Sequence, residues 1–380
     1  MSHSWITRNF EKQIFYRLEK GTVLALYGPR RVGKTSLIKR IIASFRGKVF
    51  EGEGDDIDLR SILSSAKKSL ILSSFSGYDL VFIDEAQRIP QIGWGLKILI
   101  DHNPDLRIIV TGSSSFELSG QISSPLTGRS WTLLLHPMAI SELSSWKGTM
   151  DIRQKLQEYL IFGCYPEVVL TEIRQKKIDY LIELRNAYLF KDILELENIQ
   201  NASKLTDLLK LLAFQIGNEV SLNELSNSLG VAKQTVERYV DLLEKTFIIK
   251  KLNGFSRNLR KEITKTSRYY FLDNGVRNAL INNFNQPDSR NDMGQLWENF
   301  CFSERLKVQQ TEPIHANNYF WRTYDQQEID LIEERDGTLF AFEFKWNSRK
   351  KVKVPIAWKK AYPDSTFKSV NTENFLEFLM

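Results

Sequence analysis

Short apolar runs alternate with helical segments through the first third of the chain. The segments between the runs repeat apolar residues at helical spacing, as in SLIKRIIASF after residue 35. Strands that alternate with helices predict a parallel α/β sheet of five strands that binds its ligand at the carboxyl edge. The five runs are 22–27 (TVLALY), 49–56, 80–85 (LVFIDE), 106–115 (LRIIVTGSSS) and 131–135 (WTLLL).

The pattern becomes wholly helical in the middle of the chain. Residues 151–216 show helical spacing without strand alternation, which predicts a lid and a linker. Ser221 and Glu224 then form a capping box, and Gly230 is placed to end the short helix that follows. A second helix is expected from about Ala232, followed by a strand and a basic wing.

The last hundred residues alternate again. QQEIDLIEE predicts a strand, RDG a turn and TLFAFEFKW the partner strand, while GQLWENFCFSERL has helical spacing. Because strand side chains alternate, Glu343 and Lys345 share one face. Asp330 on the paired strand and Glu298 on the helix can meet them there. Carboxylates beside a lysine can bind Mg²⁺ and activate water for phosphodiester attack.

Composition excludes several classes of protein. The 380 residues are 42% hydrophobic and 26% charged, as expected for a globular protein of two to three domains. No apolar run approaches the ~20 residues needed to cross a bilayer, and the N-terminus lacks an apolar signal region. Two distant cysteines and four scattered histidines favour neither a disulfide framework nor a zinc site. We therefore expect a cytoplasmic protein without a membrane partner.

Positive charge is concentrated in two stretches. The net charge is +6, yet residues 250–268 carry seven basic side chains and one acidic, and residues 345–360 carry seven basic and none acidic. Such clusters suit a polyanion such as nucleic acid, with two solvated basic faces as the alternative. Trp346 and Trp358 accompany the second stretch, which would suit a track for a DNA backbone.

A glycine loop lies between the first apolar run and the first helix. Residues 28–35 read GPRRVGKT, which matches the P-loop (Walker A) pattern. In this motif backbone amides and the helix N-terminus bind the β-phosphate, Lys34 reaches the β- and γ-oxygens, and the Thr35 hydroxyl holds Mg²⁺. The nucleotide-binding candidates are Gly28, Val32, Gly33, Lys34, Thr35 and Ser36.

Two carboxylates end the third predicted strand, in the manner of a Walker B motif. Asp84 can hold hydrated Mg²⁺ there, and Glu85 can orient and polarise the attacking water. Ser113 or Ser114, at the end of the fourth strand, could sense the γ-phosphate. An ordinary strand-to-loop turn is the alternative for these two serines.

These motifs resemble those of a known family. GPRRVGKTSL, VFIDEAQRIP, IIVTGSSS, SPLTGR and LLHPMAISEL are similar to segments of the prokaryotic predicted ATPases of the AAA+ superfamily. The resemblance implies ATP as the nucleotide. It also implies Arg129, in SPLTGR, as a candidate trigger for γ-phosphate cleavage, acting in cis or from a neighbouring subunit of a homo-oligomer. A structural salt bridge is the alternative for Arg129.

A second resemblance covers residues 221–249. SLNELSNSLGVAKQTVERYVDLLEKTFII is similar to the winged helix-turn-helix of bacterial regulators, whose second helix enters the major groove. Interdomain packing is the alternative, because Glu237 and Asp241 interrupt the positive face. The DNA-contact candidates are Lys233, Gln234 and Arg238 on the helix and Lys250, Lys251 and Arg257 in the wing.

A third resemblance involves the C-terminal carboxylates. The spacing from Asp330 to Glu343 and Lys345 resembles the signature of the restriction-endonuclease-like superfamily. With Glu298, these residues would then carry Mg²⁺-dependent phosphodiester cleavage, and Asp330 and Glu343 would hold the metal. A hairpin with surface charges, or a nuclease fold that binds without cutting, are the alternatives.

These interpretations together predict a four-domain chain. We expect an ATP-hydrolysing, DNA-binding ATPase whose C-terminal domain is a candidate Mg²⁺-dependent nuclease. The alternative is a nucleotide-dependent signalling or scaffolding switch that engages a protein partner. The predicted domains are an AAA+ P-loop ATPase core (1–145), a helical lid and linker (146–216), a winged helix-turn-helix (217–272) and a restriction-endonuclease-like α/β domain (273–380).

Overall fold

The chain folds into two compact units. One unit is Met1–Pro137 with Lys245–Phe247, and the other is Met138–Glu244 with Ile248–Met380. The predicted lid, winged helix and C-terminal domain therefore lie within one unit, and their separate boundaries stay predictions. The computed structural model describes residues 5–113, 125–186, 202–256, 266–350 and 352–380.

The first unit is built on a five-stranded sheet. Its order is β2-β3-β4-β1-β5, and every neighbouring pair is parallel, so the predicted five-stranded parallel sheet is confirmed. The strands are β1 (Thr22–Tyr27), β2 (Val49–Glu53), β3 (Leu80–Asp84), β4 (Arg107–Gly112) and β5 (Ser130–Leu134). The helices are α1 (Phe10–Arg17), α2 (Lys34–Ala43), α3 (Ile57–Ser64), α4 (Lys68–Ser74) and α5 (Ile92–His102).

Burial explains the sequence pattern of these strands. The three inner strands β1, β3 and β4 are buried along nearly their whole length, which is why they read as continuous apolar runs. The outer strands β2 and β5 are partly exposed and carry mixed sequences. β4 lies between β1 and β3, so the ends of these three strands meet at one edge.

The second unit holds the remaining helices and strands, except for the last residue of α13. The helices are α6 (Ile140–Lys147), α7 (Thr149–Gln154), α8 (Leu156–Phe162), α9 (Pro166–Leu170), α10 (Arg174–Leu184), α11 (Ala202–Phe214), α12 (Leu222–Leu229), α13 (Lys233–Lys245), α14 (Asn274–Leu280), α15 (Met293–Thr311), α16 (Ile356–Ala361) and α17 (Phe375–Leu379). The strands are β6 (Glu219–Val220), β7 (Ile249–Gly254), β8 (Ser267–Phe271), β9 (Asn317–Arg322), β10 (Glu328–Arg335), β11 (Thr338–Lys345) and β12 (Thr366–Asn371).

One sheet runs through the whole second unit. Its order is β12-β11-β10-β9-β7-β8-β6, so the strands of the predicted wing and of the predicted C-terminal domain are continuous. The junction is a short parallel pairing of β7 with β9, in which Asn253 faces Tyr319 and Gly254 faces Phe320. The expected division at residue 272 is therefore crossed by backbone hydrogen bonds.

The N-cap residue and the C-terminal glycine predicted for α12 are confirmed. The Ser221 side chain accepts a hydrogen bond from the Glu224 amide at 3.4 Å, and Gly230 ends α12 in the left-handed conformation. The buried face of α13 includes Val236, Tyr239, Val240 and Leu243, as the spacing predicts. Among the described residues, no helix is long and apolar enough to cross a membrane.

A cluster of apolar side chains stabilises the C-terminal part of the sheet. Trp358 on α16 is fully buried and its indole nitrogen donates to the Ser365 hydroxyl at 2.7 Å. It packs edge-on against Trp321 of β9, with the ring centroids 5.2 Å apart. Trp358 therefore belongs to the core, and the expected role of this tryptophan in a DNA track is wrong.

Candidate functional site

The loop between β1 and α2 adopts a conformation that two glycines permit. Gly28 has a φ of +149°, and a Cβ there would lie 2.1 Å from the Leu135 carbonyl oxygen. Gly33 has a φ of +94° and directly precedes the first residue of α2. Both positions would be strained by any side chain. The two glycines thus let the loop lead directly into the first turn of α2, where helix amides lack intrahelical acceptors and suit a phosphate group.

Lys34 folds back into this loop. Its side chain is 5% exposed, and Nζ donates to the carbonyl oxygens of Gly28 at 2.8 Å and Pro29 at 2.9 Å. Burial lowers the pKa of Lys34 to about 8, against the opposing effect of the Glu85 and Asp84 carboxylates. The ammonium group thus lies where the loop would enclose an anion.

The Arg8 side chain holds the P-loop in place through hydrogen bonds to the backbone. Its guanidinium donates to the Val32 carbonyl oxygen at 2.8 Å and to the His136 carbonyl oxygen at 2.6 Å, and the residue is buried. The loop is thereby tied to the segment after β5. Sequence reasoning missed Arg8, because nothing in TRNF marks an arginine that bonds to backbone far along the chain.

Asp84 connects the P-loop helix to the neighbouring strands. The Thr35 hydroxyl donates to Asp84 Oδ2 at 2.6 Å, and the Thr111 hydroxyl donates to Asp84 Oδ1. Thr111, at the end of β4, also accepts the Glu85 amide at 3.1 Å. Thr35 and Asp84 therefore face each other, as two ligands of one Mg²⁺ ion would. Thr111 was missed because it precedes the serines that drew attention in VTGSSS.

Glu85 is held by a glutamine two residues later. Glu85 has a φ of +49°, and the Gln87 side-chain amide donates to its Oε2 and to the Ser113 hydroxyl, the latter at 3.1 Å. Gln87 Oε1 is buried and has no hydrogen-bond partner among the described residues. Ser113 thus reaches the Glu85 carboxylate through Gln87, which the sequence analysis did not single out. Ser114 lies outside the described residues.

Arg129 lies at the opposite edge of the first sheet. Its carbonyl oxygen accepts the Val23 amide at 2.9 Å, at the start of β1, whereas the P-loop follows the end of that strand. Its guanidinium pairs with Asp101 at 2.5 Å. The structure therefore does not bring Arg129 together with Lys34 and Asp84 within one chain.

The four residues predicted for metal-dependent cleavage near the C-terminus lie close to one another. Lys345 Nζ donates to Glu343 Oε1 at 2.5 Å on β11, and the Phe344 amide donates to Asp330 Oδ2 of β10 at 2.8 Å. Glu298 of α15 accepts the Tyr270 hydroxyl at 2.6 Å. Among the described residues, however, no three carboxylate, imidazole or thiol side chains converge as metal ligands.

Arg268 of β8 is the residue that sequence reasoning missed in this carboxylate cluster (Glu298, Glu328, Asp330 and Glu343). It belongs to the basic stretch 250–268, for which the sequence predicts a polyanion-binding or solvated face, yet it is 3% exposed. Its nitrogens lie 3.3 Å from Glu298, 2.9 Å from Glu328 and 3.6 Å from Asp330. No local signal separates it from the other cations of residues 250–268.

Burial controls the protonation of the cluster. Burial and the charge of Asp330 raise the pKa of Glu298 to about 8 and that of Glu343 to about 7. Burial also raises the pKa of Asp330, although Lys345 and Arg268 oppose it. These carboxyl groups therefore keep a proton to a higher pH than exposed carboxyl groups do.

The DNA-contact candidates lie on the surface of the second unit. Lys233, Gln234 and Arg238 are exposed on α13, and Lys233 is 3.5 Å from Glu237 of the next turn. Lys250 on β7 pairs with Glu244 at 2.6 Å, while Lys251 is half-buried. Arg257 lies outside the described residues.

Family comparisons cover most of the chain. Residues 20–144 match the family model described as an AAA domain. Residues 153–287 and 293–374 match two families described as domains of unknown function, DUF8612 and DUF4143. The first match supports a nucleotide-binding, AAA-type ATPase in this part of the chain. The other two leave the winged-helix and nuclease-like interpretations as predictions.

Relatives along the whole chain are uncharacterised. Protein Rv2008c of Mycobacterium tuberculosis is 27% identical over 334 residues, which is 87% of this chain and 72% of its own length. Protein MJ1544 of Methanocaldococcus jannaschii is 24% identical over 380 residues, which is 95% of this chain and 83% of its own length. The name of neither relative states an activity.

Solved structures resemble the chain only weakly. A RuvB mutant of Thermotoga maritima covers 65% of this chain and 90% of its own, with 19% identity and a TM-score of 0.35. A Signal Transduction ATPase with Numerous Domains from Pyrococcus horikoshii covers 80% of this chain and 46% of its own, with 15% identity and a TM-score of 0.31. These TM-scores are too low to establish a shared fold.

Replacing Arg8 with alanine should destabilise the first unit. The change removes two buried, charge-assisted hydrogen bonds, so we expect the free energy of unfolding to fall by about 2–4 kcal/mol. Denaturant unfolding would measure it, with the exposed Arg46→Ala as the matched control. Equal unfolding midpoints for the two variants would show that the hydrogen bonds of Arg8 do not stabilise the first unit.

Proposed function

We propose that this chain hydrolyses ATP in its first unit. The observation that carries the proposal is the contact between the Thr35 hydroxyl and Asp84, 2.6 Å apart at the end of a closed glycine loop. It joins the start of the P-loop helix to the end of an inner strand. The AAA-domain match over residues 20–144 supports the same conclusion.

The loop residues would bind the phosphates. Amides of Val32, Gly33, Lys34 and Thr35 lie where an anion gains both hydrogen bonds and the positive end of the α2 dipole, and Ser36 extends that turn. Lys34 would exchange two loop carbonyl oxygens for phosphate oxygens. Thr35 and Asp84 would hold Mg²⁺, which when bound offsets charge that develops on the phosphate oxygens.

Glu85 is the proposed base. Its carboxylate would orient and polarise the attacking water, and the hydrogen bond from Gln87 would fix its direction. Ser113, bonded to the same amide, would link the Glu85 carboxylate to the end of β4. Because Arg129 lies at the other edge of the sheet, its proposed action on the γ-phosphate requires the Arg129 of a neighbouring subunit.

Two substitutions separate binding from turnover. Lys34→Ala should abolish ATP binding, whereas Glu85→Gln should bind ATP with near-normal affinity and lose turnover by about 10²-fold or more. Nucleotide binding by fluorescence and phosphate release would measure both. The exposed Lys39→Ala, on the same helix as Lys34, is the matched control. Normal turnover in Glu85→Gln would disprove the assignment of the base.

Gln87→Ala tests whether the amide positions Glu85. Loss of a hydrogen bond to a charged group should lower kcat about tenfold or more, with ATP affinity unchanged. Steady-state phosphate release would give kcat and KM separately. Gln154→Ala, at an exposed glutamine, serves as the control. An unchanged or raised kcat in Gln87→Ala would show that Gln87 does not assist Glu85.

DNA binding through α13 is the second candidate function. Three exposed polar or basic side chains of this helix, Lys233, Gln234 and Arg238, share the surface beside an antiparallel β6-β8-β7 arrangement. A helix that presents cations in this way can bind phosphates or enter a groove. The acidic Glu237 and Glu244 lower the net charge of the surface, and a switch that engages a protein partner is the alternative to DNA binding.

Charge reversal on α13 distinguishes these candidates. Lys233→Glu with Arg238→Glu should weaken binding to duplex DNA at least tenfold and flatten its dependence on salt. Lys210→Glu, an exposed lysine on α11, should leave binding unchanged. The measurement is fluorescence anisotropy across a salt series, beside ATP turnover with and without DNA. Indifference to DNA in both measurements would favour a protein partner.

A further inference from the structure

A buried cation lies in the C-terminal carboxylate cluster. The Arg268 guanidinium contacts Glu298 from α15 and both Glu328 and Asp330 from β10, at 3.3, 2.9 and 3.6 Å. One side chain thus contacts three of the four carboxylates of the cluster. A divalent metal ion that used Glu298 and Asp330 would need much of the same space.

The backbone and an aromatic ring hold Arg268 in place. The residue lies in the middle of three strands, opposite Glu219 of β6 and Leu252 of β7. Its guanidinium carbon is 4.7 Å from the centre of the Phe320 ring on β9. The guanidinium is therefore part of the packed interior and does not swing in from the surface.

The carboxylate oxygens are also bonded to other donors of the protein. Asp330 Oδ2 accepts the Phe344 amide, Glu298 Oε1 accepts the Tyr270 hydroxyl, and Glu343 Oε1 accepts Lys345. Within the cluster, Glu343 Oε2 is buried and has no hydrogen-bond partner among the described residues. Mg²⁺ prefers octahedral oxygen ligands at about 2.1 Å, and to bind here it would have to displace these donors and Arg268 from the carboxylates of the cluster.

We propose that Arg268 is the resident cation of this cluster, and that the C-terminal domain neither binds Mg²⁺ nor cleaves phosphodiesters. A guanidinium is permanently charged, but unlike a metal ion it cannot coordinate a water molecule and activate it for attack. The cluster instead ties β8, β10 and α15 together. This inference does not depend on the ATPase proposal, since all its residues lie in the second unit.

Removal of the cation should uncover a metal site. In Arg268→Gln, Lys345 is, among the described residues, the cation left beside Glu298, Asp330 and Glu343, so divalent cations would be drawn to Asp330 and Glu343. The gain should disappear in the double variant Arg268→Gln with Asp330→Asn. Arg322→Gln, which breaks a nearby ion pair with Glu219 on the surface, is the matched control and should gain nothing.

Mn²⁺ is the probe, measured by electron paramagnetic resonance on the nucleotide-free full chain. We expect equal Mn²⁺ binding by the unaltered chain and by Asp330→Asn, and about one additional ion per chain in Arg268→Gln. Nicking of supercoiled plasmid with Mn²⁺ or Mg²⁺ should be absent from the unaltered chain. Circular dichroism would verify that each variant is folded.

Two results would overturn the proposal. The first is metal-dependent nicking by the unaltered chain that Asp330→Asn abolishes, or Mn²⁺ binding that Asp330→Asn reduces. The second is a folded Arg268→Gln that binds no additional Mn²⁺. If Arg268→Gln does not fold, the comparison of the unaltered chain with Asp330→Asn decides by itself. A failure of Glu85→Gln to stop ATP turnover would affect the ATPase proposal alone.

Discussion

Parallel pairing of β1, β4 and β3 is the constraint on which the first site depends. Parallel strands end at the same edge, so the glycine loop, Thr111 and Asp84 meet although about 80 residues separate the first from the second. Thr35 lies in the first turn of α2, directly after the glycine loop, and its hydroxyl therefore reaches Asp84. Without β4 between them, neither Thr111 nor Ser113 would lie beside the acid pair.

Sequence patterns predicted what is local and missed what is distant. The apolar runs, the glycine loop and the acid pair each lie within ten residues, so their spacing alone indicates their chemistry. Arg8 and Arg268 act on groups 24 to 128 residues away, and an arginine in sequence gives no sign of whether it will be buried. Burial was also misjudged for Trp358, because the lysines beside it imply a surface.

The two sites use buried cations differently. Lys34 is buried against neutral carbonyl oxygens, so an anion that enters the loop improves its environment. Arg268 is buried against carboxylates, and it loses favourable contacts if anything displaces it. The first cation is thus prepared for a ligand, whereas the second already has its partners. A shared preference for buried positive charge does not imply a shared chemistry.

The pairing of β7 with β9 has a consequence for the nascent chain during its synthesis. The edge of β7 that pairs with β9 gains its partner residues only when Tyr319 and Phe320 have been synthesised, more than 60 residues later. At ribosomal rates of about 5–20 residues per second, that edge stays open for several seconds. The lysines of β7 would keep other nascent chains from pairing with it during this interval, since charged edges resist association.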